Sequence, residues 1–229
     1  MKKTSILLAI LFTVVAFGQQ QQKNTVTVTG EGTVYVVPDK VLIKARIEHS
    51  GDSPAEVKRQ NDEVVNNIFE YLESQDIPSE NIRSEYINLN KDYDYNLKEH
   101  KYSANQAISI QLDDLKKYED IMSGLLGSGL NRIDGVQFQT SRKEELKSEA
   151  RRQAMLNSKK KANELAQALD QSIGSAVSIS ETESNGFQPV ARMMEMKNDS
   201  GSGGQTIAPG EMEITVKVNV SFELGSSGK

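Results

Sequence analysis

The chain of 229 residues has no cysteine, no tryptophan and only two histidines, His49 and His100. The missing thiols exclude disulfides, cysteine nucleophiles, zinc–thiolate sites and iron–sulfur clusters, so stability has to come from packing. The two histidines lie in different segments and no Gly-x-Ser-x-Gly elbow accompanies them, which leaves a serine hydrolase without its sequence signature. Long apolar runs are equally scarce. Ile6 to Phe17, broken only by Thr13, is well short of the roughly 20 residues that span a bilayer. With Lys2 and Lys3 before it and the small residues Ala16 and Gly18 before Gln19, it reads as a cleavable secretory signal cut after Gly18. The expected location is periplasmic or secreted, and without a following cysteine the amino terminus carries no lipid. Removing residues 1–18 takes two lysines and moves the formal charge from −5 to −7. That acidity counts against nucleic acid as a partner, and no second apolar run supplies a transmembrane segment to the mature chain.

What remains is strongly patterned. After a polar stub at 19–24, Val26, Val28, Val34 and Val36 alternate around Gly30 and Gly32, a strand whose glycines imply a bulge or a close backbone approach. Pro38-Asp39 turns the chain, and Val41, Ile43, Ala45 and Ile47 form a second strand, expected to be its hairpin partner. Ser53-Pro54 then opens a helix carrying Val57, Val64, Ile68 and Leu72. Ile82–Leu89 and Tyr102–Leu112 read as strands flanking a polar, tyrosine-rich loop. Asp113 or Asp114 caps a short helix, Gly124 to Gly129 stops it, and Ile133–Thr140 is again a strand. Ser141 is the expected cap of the longest helix, about 142–169, with a stripe of Leu146, Ala150, Ala154, Ala162, Leu165, Ala166 and Leu169. Small residues there let the helix lie close across a sheet. Gly174–Thr182 and Ile214–Leu224 complete the strands, and 184–210 reads as a flexible Met/Gly-rich loop. The fold class is α+β: two layers, a mainly antiparallel sheet packed by helices, one of them long and alanine-rich. Residues 25–225 form a single domain of two sub-units, about 25–90 and 101–225.

The patterns that could carry chemistry are incomplete. Asp92, Asp94 and Asn96 start an EF-hand spacing, but Leu97 stands at the glycine position and Ser103 at the bidentate glutamate. A solvated hairpin tip accounts for them. Thr29-Gly30-Glu31-Gly32 lacks a dinucleotide fingerprint's third glycine and following helix, and Gly124–Gly129 lacks a phosphate loop's lysine. No catalytic residue, cofactor or metal ligand is assigned, and no enzymatic activity is expected. Surfaces remain: Tyr93, Tyr95 and Tyr102 for stacking on a sugar or protein, and Arg151, Arg152 and Lys159 on a cationic helix face. Met193, Met194 and Met196 offer thioethers to Cu(I) or oxidants, though their charged neighbours fit a loop or oligomer contact better.

Several segments in order resemble the SIMPL-domain family of exported bacterial proteins, which includes periplasmic immunogenic antigens and oxidative-stress defence proteins. They are Val26-Thr-Val-Thr-Gly-Glu-Gly32, Pro38-Asp39, Tyr102-Ser-Ala-Asn-Gln106, Asp113-Asp-Leu115, Ile133-Asp-Gly-Val-Gln-Phe138, Lys161-Ala-Asn-Glu-Leu-Ala166 and Ile207-Ala-Pro-Gly-Glu211. The resemblance implies a non-catalytic, self-associating α+β envelope protein of structural or stress-related role and carries over no catalytic residue. The expected partners are further copies of the chain, envelope components or acidic proteins. The alternative is a glycan- or small-ligand-binding module, or a glycan-active enzyme, built on the tyrosine loop.

Overall fold

The computed structural model describes residues 24–95, 98–182, 188–190 and 209–226. The expected signal segment and Met193–Met196 lie outside the described residues. The strands are β1 (Thr25–Val36), β2 (Lys40–Gly51), β3 (Ile82–Asp94), β4 (Glu99–Leu112), β5 (Arg132–Gln139), β6 (Gln171–Thr182), β7 (Gln188–Val190) and β8 (Glu211–Ser226). The helices are α1 (Pro54–Ser74), α2 (Tyr118–Gly127) and α3 (Lys143–Gln167). Every strand pair is antiparallel, and the strands form two four-stranded sheets. In one the order is β1-β8-β6, with β7 beside β6 on β8; in the other it is β3-β4-β2-β5. The α+β class therefore holds. No helix among the described residues is long and apolar enough to cross a membrane.

The second sheet buries the large aliphatics. Ile43 and Ile47 of β2 and Ile108 and Ile110 of β4 meet Ile68 and Leu72 of α1 at 0–1% exposure. Each such side chain stabilises the fold by about 1.5–3 kcal/mol relative to exposure. Ser53 and Pro54 start α1 as the sequence predicts. The short helix α2 is tied to α1 where the Tyr71 hydroxyl donates to the Asp120 carbonyl at 2.9 Å.

The first sheet is built by a different rule. On β8, Met212, Ile214, Val216, Val218, Val220 and Phe222 alternate inward, and α3 lies across β1 and β8 above them. The buried row of α3 is Leu146, Ala150, Ala154, Ser158, Ala162 and Ala166, spaced by fours. Beneath it, a Cβ added to Gly30 would sit 2.1 Å from the Ala154 carbonyl oxygen, and one on Gly32 2.0 Å from that of Ala150. The glycines thus mark the close approach anticipated from their placement.

Five expectations need correction. β1 and β2 are not a hairpin: β1 pairs with β8 throughout, while β2 sits between β4 and β5. The Pro38-Asp39 segment passes the chain from one sheet to the other instead of reversing it within one. Sheet pairing likewise crosses the division near residues 90–101, because β3 pairs with β4. Ser141 does not cap α3: its N–H and hydroxyl both donate to Asp39, at 2.7 and 2.5 Å, which holds it in the turn before the helix, and Arg142 takes the cap position. Leu165 and Leu169 are 50% and 72% exposed, and the stripe includes Ser158, which the expected one passed over, its hydroxyl donating to the Met155 carbonyl at 2.8 Å. Within the expected loop 184–210, Gln188–Val190 forms strand β7.

Replacing Gly32 by valine should lower unfolding free energy by about 3 kcal/mol in urea denaturation, by overpacking against the α3 backbone. Gly135→Ala, which meets nothing within 4 Å, should change it little.

Candidate functional site

The six surface residues singled out from sequence fall into two separate groups. Tyr93, Tyr95 and Tyr102 belong to the β3–β4 arm of one sheet, and Arg151, Arg152 and Lys159 to α3 over the other. The tyrosine-rich loop is mostly strand: β3 and β4 stay paired from Ile82↔Ile110 to Asp94↔Glu99.

The cationic face is largely answered within the chain. The Arg151 guanidinium binds both oxygens of Glu181 on β6, at 2.5 and 3.0 Å. Arg152 binds Glu149 in the same two-pronged way, at 3.0 and 2.6 Å. The Glu181 carboxyl is held below its ordinary range by the hydrogen bond from Arg151, as is Glu149 by Arg152. Lys159 stands exposed on the helix.

The arm is built by one extra residue. At Ser84/Tyr86 the register slips, so Glu85 bulges out and every later side chain changes face. Ile87, Leu89, Lys91 and Tyr93 then oppose Gln106, Ala104, Tyr102 and His100. Gln106 and Ala104 oppose Ile47 and His49 of β2, so this is the α1 side of the sheet. Helix α1 packs on β2 and β4. Beyond its cover, Ile87 is 65%, Leu89 47% and Tyr93 44% exposed. At the tip Tyr95 is 84% exposed, its ring edge-on to Tyr93 at 5.1 Å; His100 meets Tyr93 at the same centroid distance. Lys91 lies 5.9 Å from the Tyr102 ring centroid.

The opposite face of this sheet is polar and ordered. An extra residue at Asp134 on β5 aims its carboxylate at Arg46, which donates two bonds to it at 3.0 and 2.7 Å. Arg132 bridges Asp134 and Glu48, each at 3.1 Å, and Arg46 lies 5.7 Å from the Tyr86 ring centroid. The hydrogen bond to Asp134 raises the Arg46 pKa, so this guanidinium stays charged. These groups satisfy one another and make the face a closed ionic network. Sequence reasoning missed Ile87, Leu89 and this network: nothing in the alternation of β3 says where α1 stops covering it.

Asp39 holds the junction between the sheets. It receives the Ser141 backbone N–H at 2.7 Å and the Ser141 hydroxyl, while its own N–H donates to the Gln139 carbonyl at 3.1 Å. Partial burial works against the charged carboxyl, but the Ser141 bonds outweigh it and lower its pKa. Among the described residues, no three histidine or carboxylate side chains gather as a metal site.

Two outcomes test these pairs. Arg151→Glu should lower the melting midpoint by setting two carboxylates together, and adding Glu181→Arg should recover most of the loss. Because the folded-state pKa of Asp39 is depressed, its stabilisation is present above the unfolded value of 3.8 and fades as pH falls through the folded one. Asp39→Asn should therefore cost about 1 kcal/mol at neutral pH, discounted for exposure, and flatten the acid limb of a stability–pH curve.

Against known proteins, the family described as SIMPL, a protein of unknown function (DUF541), matches residues 26–222. The "Uncharacterized protein YggE" of Escherichia coli K12 is 28% identical over 206 residues, covering 87% of this chain and 82% of that protein. The "26 kDa periplasmic immunogenic protein" of Brucella melitensis is 26% identical over 236 residues, covering 96% and 94%. A YggE protein of Edwardsiella ictaluri is 27% identical, covering 87% and 86%.

Proposed function

Because this chain belongs to the SIMPL family, we propose that it is a non-catalytic envelope protein that works by associating with further copies of itself through the β3 edge. An exported, periplasmic location is supported by the signal pattern of residues 1–18 and by the periplasmic naming of the Brucella relative.

The observation that carries the contact is the state of β3. A sheet edge invites pairing unless it is covered, bulged or charged. After the bulge at Glu85, β3 runs from Tyr86 to Asp94 without interruption in its pairing to β4. Among the described residues no strand pairs with its outer edge, and Ile87 and Leu89 stand exposed on the face beside it. Antiparallel addition of the same strand from a second copy satisfies its backbone groups and brings two Ile87/Leu89 pairs together, a self-complementary two-fold contact. The α3 arginines favour a cationic contact less, because Glu181 and Glu149 already occupy them. A structural or stress-related role in the envelope follows from such an assembly as the general reading.

Light scattering at micromolar concentration should return a discrete multiple of the chain mass. Ile87→Lys with Leu89→Lys, both at exposed positions, should reduce it to monomer without lowering the melting temperature. A monomeric wild type, or an unchanged assembly in the double variant, would sink the proposal.

A second reading rests on the tip. Tyr95 and Tyr93 form an exposed aromatic pair of the kind that stacks on sugar rings, and an envelope glycan is its candidate ligand. Quenching of tyrosine fluorescence by glycan fragments in wild type but not in Tyr95→Ala would support it.

A further inference from the structure

Helix α3 leaves part of its own sheet uncovered. Asn157 and Lys161, each one place before a buried residue of its row, reach carbonyls of β1. The residues one place after the buried row therefore line the opposite flank, over β6, where Arg151 binds Glu181. Lys147, Arg151, Met155 and Lys159 follow one another along this flank at four-residue steps.

The strand beneath them presents an apolar group. Cross-strand partners share a face, so Ile179 and Glu181, opposite the buried Val220 and Val218, lie on the α3 side of the sheet. Only residues 168–170 separate α3 from β6, and the two run in opposite directions. Four residues of helix advance about 6 Å and two of strand about 6.6 Å. Counted from the Arg151–Glu181 pair, Met155 stands level with Ile179, and Lys159 one step beyond. Met155 is half-buried against the sheet core, whereas Ile179 is 58% exposed. Between the helix flank and the strand lies an apolar shelf, bounded at one end by an ion pair.

The charge on this shelf is one-sided. Glu181 receives the influence of both Arg151 and Lys147. Lys159 stands exposed beyond them with no carboxylate partner among the described residues. An occupant that suits the shelf brings an apolar group for Ile179 and a negative charge for Lys159 within one short reach. A sugar brings no charge, and an inorganic anion leaves Ile179 in water. A peptide segment whose apolar side chains are flanked by carboxylates brings both.

We propose that the shelf between α3 and β6 binds an acidic segment of a partner protein, with an apolar side chain of that segment on Ile179 and Met155 and a carboxylate on Lys159. The shelf belongs to the sheet that does not contain β3, so this contact is tested apart from self-association through the β3 edge.

The test is fluorescence anisotropy of the purified chain with three labelled peptides. They are Gly-Glu-Leu-Glu-Leu-Glu-Gly, its lysine counterpart Gly-Lys-Leu-Lys-Leu-Lys-Gly and its serine counterpart Gly-Glu-Ser-Glu-Ser-Glu-Gly. Saturable binding is expected for the glutamate–leucine peptide alone, weakening as salt rises. Lys159→Glu should weaken it about tenfold and let the lysine–leucine peptide bind. Ile179→Ser should weaken it about fivefold. Both positions are exposed, so the melting temperature should hold in each variant. Absence of saturable binding, equal affinity for the serine peptide, or wild-type affinity in either variant overturns the proposal. Two further outcomes overturn the assigned occupant. Peptide that breaks up an assembly of the chain places a second copy on the shelf. Tighter binding to phosphatidylglycerol vesicles, lost in the same two variants, places a lipid surface there.

Discussion

The fold depends on how closely α3 lies on β1. With Gly30 and Gly32 below and Ala150, Ala154 and Ser158 above, backbone meets backbone with no side chain between. The helix comes low enough to roof the valines of β8, which supply the apolar surface that the glycines do not. The same proximity brings polar side chains within reach of the strand's outer edge. Asn157 donates to the Glu31 carbonyl at 2.7 Å and Lys161 to that of Thr29 at 3.3 Å. One packing constraint thus both builds a core and closes an edge.

The remaining edges are treated unequally. β6 carries two extra residues against β8, between Ile173 and Ser178, which break its regularity. β5 is bulged at Asp134. β3 spends its bulge early, at Glu85, and is straight thereafter. The same local device protects one strand and, placed a few residues from the start of another, releases a long edge and moves Ile87 and Leu89 to one side of it. The location of the bulge, more than the composition of the strand, separates a protected edge from an available one.

The legibility of these features follows their range. The α1 start at Ser53-Pro54, the alternation of β8 and the small-residue surface of α3 were readable because each is written in consecutive or helically spaced residues. The partner of β1 was not, because Val26 and Val28 alternate identically whether their neighbour is β2 or a strand nearly two hundred residues on. Ser158 was overlooked because its hydroxyl is satisfied inside its own helix, so polarity gave a false sign of exposure. Of the candidate surface, Tyr93 and Tyr95 are exposed and Tyr102 is half-buried. The arginines were read as outward charges, and the acids that answer them include Glu181, thirty residues away. The register slip at Glu85 has no sequence signature at all.

The pairing of β1 with β8 joins the first strand of the domain to the last, in register from Thr25↔Glu223 to Val36↔Met212. The β3-β4-β2-β5 sheet draws all its strands from residues 40–139 and can assemble from a contiguous stretch of chain. The β1-β8-β6 sheet has no central strand until residue 226 is present. In a chain that emerges amino terminus first, β1 must wait unpaired through the synthesis or passage of everything that follows, because loop closure over that distance precedes any reward from contact. Completion of the fold is thereby coupled to completion of the chain, and a truncated product keeps an unsealed strand at its front end.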